Sequence, residues 1–299
     1  MISIYFSFLK YSIILLYLIK LAKSSNSKIN FLLKSNPTTT QDVISTSFSC
    51  TKNKVYLNST DKETSSSFAL NEGYNNITII FNGEINSYAN LFYHLYFIEE
   101  VIILNFDTAK PTSMNSMFKD CGNLKKVDFG NIDTSLVTDM SSLFENCKEL
   151  IWVDLSNFNT SSLTTMYLMF KSCEAIKVID ASNFDTSKVT SMYDTFGNCK
   201  SLVYLNISNF NTSNVKIIRG MFIECSSLKY LDINNFDYTA IKAACSSDEN
   251  YKFHYFLSQC TILKCVKMHT FYINECLYHH TFDETNSTQN IVLFKEIIK

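Results

Sequence analysis

The stretch LIWVDLSNFNTSSLTTMYLMFKSC, residues 150–173, decides the reading of the fold. Leu150, Val153 and Leu155 follow L-x-x-L-x-L, so Val153 and Leu155 face one side of a short strand while Trp152, Asp154 and Ser156 face the other. A turn follows at Asn157 and Phe158, then an N-T-S tripeptide. Working outward, the same wording returns every 26 residues. Cysteines fall at Cys121, Cys147, Cys173, Cys199 and Cys225, and phenylalanines at Phe118, Phe144, Phe170, Phe196 and Phe222. Asparagines recur at Asn105, Asn131, Asn157, Asn183, Asn209 and Asn235. A fixed period between about 20 and 50 residues signals a solenoid or a related array.

The second half of each coil predicts a helix. In VTDMSSLFENC, residues 137–147, Val137, Met140 and Phe144 sit at i, i+3 and i+7, one apolar face of a helix, with Thr138 as its N-cap. The expected fold class is therefore α/β: a leucine-rich-repeat-like solenoid of short parallel strands and short helices with degenerate caps. A weaker coil precedes the clear ones, because Tyr88, Leu91, Phe92 and Leu95 sit 26 residues before Met114, Met117, Phe118 and Cys121. ITIIFNG, residues 77–83, reads as an opening strand, and the pattern stops near Ile241.

Composition narrows the function classes. The 299 residues carry 26 Lys+Arg against 28 Asp+Glu, so no global field attracts nucleic acid. There are six glycines, no two closer than eight residues, which excludes G-x-G-x-x-G and phosphate-cradling loops. No paired carboxylates in distinct environments and no standard metal spacing stand out, so the expectation is a non-enzyme with no catalytic residue, no cofactor and no metal.

The expected organisation has four parts. Residues 1–24 read as a signal peptide: Tyr11–Ile19 is an apolar run preceded by Lys10, and Ala22 and Ser24 suit cleavage after Ser24. An uncleaved anchor is the alternative, and either places the rest outside the cytosol. Residues 25–76 are a Ser/Thr/Asn-rich N-terminal flank, residues 77–241 the repeat, and residues 242–299 a Cys/His-containing C-terminal cap.

The segments VDLSNFNTSSLTTMYLMFKSC (153–173) and LNISNFNTSNVKIIRGMFIEC (205–225) resemble the BspA-like leucine-rich-repeat surface proteins over roughly residues 77–241. The resemblance implies a parallel-strand solenoid, secretion or surface display, and a role in adhesion or recognition. It supplies no catalytic residues.

The candidate site is the outward strand column holding Trp152, Val178, Tyr204 and Tyr230. It varies where the inward columns do not, and exposed aromatics on a rigid face anchor protein or glycan partners. The expectation is a secreted or cell-surface protein that binds such a partner, on a surface or matrix, through this face; the alternative function is a coat or matrix component without a specific ligand. The alternative at residue level is that a flanking segment covers the stripe. Beside it run Asp128, Asp154, Asp180, Asn206 and Asp232, read as solvated, with calcium the lesser reading. Asn58 and Asn286 are the better glycosylation acceptors, because the sequons at Asn159, Asn206 and Asn211 arise from the repeat's own wording. The cysteine column is read as buried free thiols. Outside it, Cys245, Cys260, Cys265 and Cys276 are disulfide candidates, given the signal sequence.

Overall fold

The computed structural model describes residues 28–35, 40–42, 44–45, 52–57, 60–61, 67–70, 73–81, 85–107, 110–237, 239–240, 255–267 and 292–294. Its strands are β1 (Lys28–Ser35), β2 (Thr40–Asp42), β3 (Lys52–Leu57), β4 (Thr60–Asp61), β5 (Ser67–Ala69), β6 (Gly73–Phe81) and β7 (Ile98–Asp107). Then follow β8 (Lys126–Asp128), β9 (Trp152–Val153), β10 (Val178–Asp180), β11 (Tyr204–Asn206), β12 (Tyr230–Asp232), β13 (Cys265–Lys267) and β14 (Val292–Phe294).

Strands form because each alternates apolar and polar residues at its turn-bounded position. In β10, Ile179 is buried between exposed Val178 and Asp180. Rungs 26 residues apart pair in parallel within each sheet, with Glu100 opposite Lys126, Lys126 opposite Trp152, and Val178 opposite Tyr204. On the far side of each rung a second parallel ladder links Ser113, Asp139, Thr165, Ser191 and Ile217.

The α/β leucine-rich-repeat-like solenoid expected from the sequence is overturned. Helical backbone among the described residues is confined to Thr239 and Ala240, and the strands divide into separate sheets of seven, two, three and two strands rather than one continuous sheet. The segment read as two helical turns is a run of tight turns. Ser142 (φ 56) and Asn146 (φ 61) adopt the left-handed conformation, and so do Leu168 and Ser172, then Asp194 and Asn198, one rung and two rungs on. A right-handed helix cannot pass through such residues.

The hydrogen bonds show what replaces the helix. The N–H groups of Leu143, Glu145 and Cys147 bond three residues back, to Met140, Ser142 and Phe144. The intervening N–H groups of Ser142, Phe144 and Asn146 bond to Tyr167, Met169 and Lys171 of the next rung at 2.8–2.9 Å. A helix would spend every donor within its own rung; here half of them tie rung to rung. The apolar spacing is the same in both conformations, which is why Met140, Leu143, Phe144, Cys147 and Leu150 are all fully buried. Thr138 caps no helix: its N–H and hydroxyl both bond to the carbonyl of Thr112, one rung earlier. Gly220 (φ +59) occupies one of the left-handed positions, and a Cβ there would collide with the Asp194 carboxylate.

The core is a set of stacked columns. Phe92, Phe118, Phe144, Phe170, Phe196 and Phe222 lie ring on ring, with centroids 5.0–5.9 Å apart and planes within 21°. Cys121, Cys147, Cys173, Cys199 and Cys225 are free and buried, each thiol donating to the phenylalanine carbonyl 29 residues earlier. Burial raises every one of these thiols, Cys199 to about 12.

Both ends differ from the expected caps. The flank at residues 25–76 supplies β1 to β5 and the start of β6, and β1 inserts antiparallel between β6 and β7. At the other end the repeat does not stop near Ile241. Leu257, Cys260, Leu263 and Val266 stand 35 residues after Phe222, Cys225, Leu228 and Leu231, so a rung returns after a nine-residue insertion. Its β13 pairs in parallel with β12 and with β14, and Tyr255 and Gln259 take the two left-handed positions.

Candidate functional site: the strand face

The strand face is narrow because each strand is two or three residues long and only alternate side chains point outward. Trp152, Val178, Tyr204 and Tyr230 all do so, at 43%, 56%, 53% and 66% exposure. Ile151 and Val203, at the corner just before the strand, are exposed as well. The six are exposed apolar side chains on four successive rungs, the kind of surface that proteins keep for contacts. No described segment lies over them, so the alternative of cover by a flank finds no support among the described residues.

Polar groups bound the patch. The ammonium of Lys126, one rung earlier in the same column, sits 4.8 Å from the Trp152 ring centroid. One rung earlier, Glu100 accepts from Lys34 at 2.9 Å and from the Tyr74 hydroxyl at 2.7 Å. These bonds hold the Glu100 carboxyl below its ordinary value although burial works against them. This charged cluster closes the face at the N-terminal end. At the other end Lys267 pairs with Asp232 at 3.5 Å.

The aspartate column is local chemistry. Asp128, Asp154, Asp180 and Asp232 each accept the backbone N–H two residues on, at 2.9–3.0 Å, and Asn206 does the same at 3.3 Å. Hydrogen bonds from Ser156 and Ser182 hold the Asp154 and Asp180 carboxyls below the usual range. Among the described residues no cluster of three or more His, Cys, Asp or Glu could hold a metal. The asparagine column is structural too: the Asn183 amide donates to the carbonyls of Leu155, Ser156 and Phe158 in the preceding rung.

Cys260 and Cys265, expected as disulfide candidates, are free thiols. Cys260 extends the buried column, donating to the carbonyl of Phe222, and Cys265 opens β13. Cys245, Cys276, Asn58, Asn286 and residues 1–24 lie outside the described residues. The sequon side chains of Asn159 and Asn211 bond to the N–H groups of Ser161 and Ser213.

Sequence reasoning missed the threonine of each N-T-S or D-T-S tripeptide. Thr134, Thr160, Thr186 and Thr212 are at most 2% exposed. Each hydroxyl accepts the N–H and donates to the C=O of one residue in the next rung, as Thr186 does with Asn211 at 2.8 and 2.9 Å. The recurrence of threonine, never serine, at that position was the available signal.

A protein-family model described as "Mycoplasma protein of unknown function, DUF285" matches residues 62–181 and 166–271, together more than half of the chain. The two matches begin 104 residues apart, which is four periods of 26. No curated protein and no solved structure matches.

Proposed function

Because the chain belongs to the DUF285 family, whose description names no activity, we propose its role from its own geometry: a secreted or cell-surface recognition protein that binds a macromolecular partner through the strand face. The observation that carries this reading is the exposed patch built on Trp152, Val178, Tyr204 and Tyr230. Its side chains sit on short strands that each pair in parallel with a neighbouring rung, so binding costs little conformational entropy there. Trp and Tyr are the residues in which interface energy concentrates. Export rests on the apolar run Tyr11–Ile19, and the adhesion role is supported by the resemblance of residues 153–173 and 205–225 to BspA-like surface proteins. Among the described residues no helix is long and apolar enough to cross a membrane.

The test is a glycan and protein-ectodomain array probed with the wild type, the double variant Trp152→Ala/Tyr204→Ala, and Lys188→Ala. Lys188 is exposed, lies outside the strand and donates to the carbonyl of Ser161 at 2.8 Å. The wild type and Lys188→Ala should bind the same partner, and the double variant should lose at least ten-fold in affinity, about 1.4 kcal/mol. Equal binding by all three would move the site off the strand face.

A further inference from the structure

Across each rung the strand face carries three columns: a corner residue, the stripe residue one place on, and the aspartate column two places beyond that. Corner and aspartate columns change together. Lys125 goes with Asp128, Lys177 with Asp180, and Lys229 with Asp232. In the one repeat where the carboxylate becomes the amide Asn206, the corner becomes Val203. Three rungs depart: Glu99 stands with Ile102, Ile151 with Asp154, and Lys264 with Lys267. Lys177 and Lys229 are exposed and form no ion pair among the described residues. The Asp180 carboxyl is held low by Ser182 and Asn206, with no lysine contributing. Lys125 pairs with Glu99 at 3.6 Å and Asp232 with Lys267 at 3.5 Å, which leaves Lys177, Lys229 and Asp180 as flank charges without an ion pair among the described residues. Three residues of strand separate the two columns by about 10 Å.

A row of lysines on one flank of an apolar stripe and a row of aspartates on the other is self-complementary in only one orientation. A twofold axis running along the stack, midway between the two flanks, lays Lys125, Lys177 and Lys229 over Asp128, Asp180 and Asp232 of the same rungs in the second copy. It also lays Val203 over Asn206, and brings Trp152 against Trp152 and Tyr204 against Tyr204. A twofold axis across the stack sets lysine against lysine. We propose that the strand face is a self-association surface, on which two parallel copies pack face to face with Lys177 opposite Asp180 and Lys229 opposite Asp232. This rests on the reading of the strand face as the interaction surface and names its occupant as a second copy of this chain.

The aromatic stripe supplies the apolar contact, and the flanking charges fix the orientation. The strip is about 30 Å long over seven rungs and about 10 Å wide. That is about 300 Å² per copy and about 600 Å² in all, below the range of stable interfaces, so the dimer is weak, reversible and concentration-dependent.

The experiment is sedimentation velocity on the full mature chain and two charge variants. Lys177→Glu/Lys229→Glu makes both flanks acidic, and Asp180→Lys/Asp232→Lys makes both basic. The wild type should dimerise, each variant alone should associate at least ten-fold more weakly, and an equimolar mixture of the two should dimerise again as a heterodimer. Added salt should weaken the wild-type dimer and the mixture alike. Asp180 also closes its own turn, so if the basic variant fails to fold, the acidic variant alone decides: its dimer must weaken ten-fold with circular dichroism unchanged. A monomeric wild type at the highest attainable concentration, or a mixture that stays monomeric while both variants are folded, overturns the proposal. A monomeric wild type whose array binding still depends on Trp152 overturns self-association alone and leaves the strand face as a recognition surface. A dimer that survives both charge reversal and Trp152→Ala overturns both readings.

Discussion

The buried threonine of the tripeptide holds neighbouring rungs together with one hydroxyl. Thr186 is fully buried and serves both the N–H and the C=O of Asn211. Valine has the same shape and no hydroxyl, so Thr186→Val strands both backbone groups. The expected loss is about 1–3 kcal/mol of unfolding free energy. Thr190 is exposed and donates a longer bond, 3.3 Å, to the carbonyl of Thr164, where water can substitute. Thr190→Val should therefore stay within about 0.5 kcal/mol of wild type. Urea titration of the two variants checks the pair, and equal losses would mean that the clamp does not distinguish buried from exposed threonine. At this scale the sequence was partly legible. The period exposed the columns, and hydrophobicity sorted inward from outward, but a threonine looks polar wherever it stands. Only the neighbour's backbone reveals that Thr186 is inside.

At the scale of one rung, the strand was legible and the helix was a misreading with a definite cause. Burial at Met140, Leu143, Phe144 and Cys147 satisfies a helical face and a run of turns equally. What separates them is the left-handed residue at the first and fifth positions of the run. Asn146 and Asn198 suit that conformation, because asparagine visits it more readily than most residues. Ser142, Leu168 and Glu224 hide it, so the signal is diluted across the column. Glu224 sits at φ 58, where two other rungs carry asparagine, at Asn146 and Asn198. Its backbone N–H bond to the Ser258 carbonyl survives substitution. Glu224→Asn should stabilise the chain by about 0.5–1 kcal/mol, the usual gain when a residue is matched to its backbone. A shift of the urea midpoint upward is the expected result, and a downward shift would contradict the assignment of that turn.

Over the whole molecule, the repeat placed the strand face correctly but hid both ends. The N-terminal flank was opaque because β1 has no counterpart at a distance of 26 residues; its strand character shows only in pairing with β6 and β7. The final rung was missed because the insertion after Phe236 shifts Phe256, Leu257 and Cys260 out of register. The stripe of Trp152, Val178, Tyr204 and Tyr230 was readable from alternation alone, and its exposure follows from the parallel pairing of short strands. The chain has one tryptophan, and it stands in that stripe under Lys126. Its fluorescence therefore reports on the proposed face and on nothing else. The decisive measurement is acrylamide quenching of Trp152, free and saturated with a partner taken from the array, or across the concentration range of self-association. The account predicts that quenching falls several-fold and the emission shifts to the blue as the indole is covered; quenching that is unchanged at saturation would contradict it.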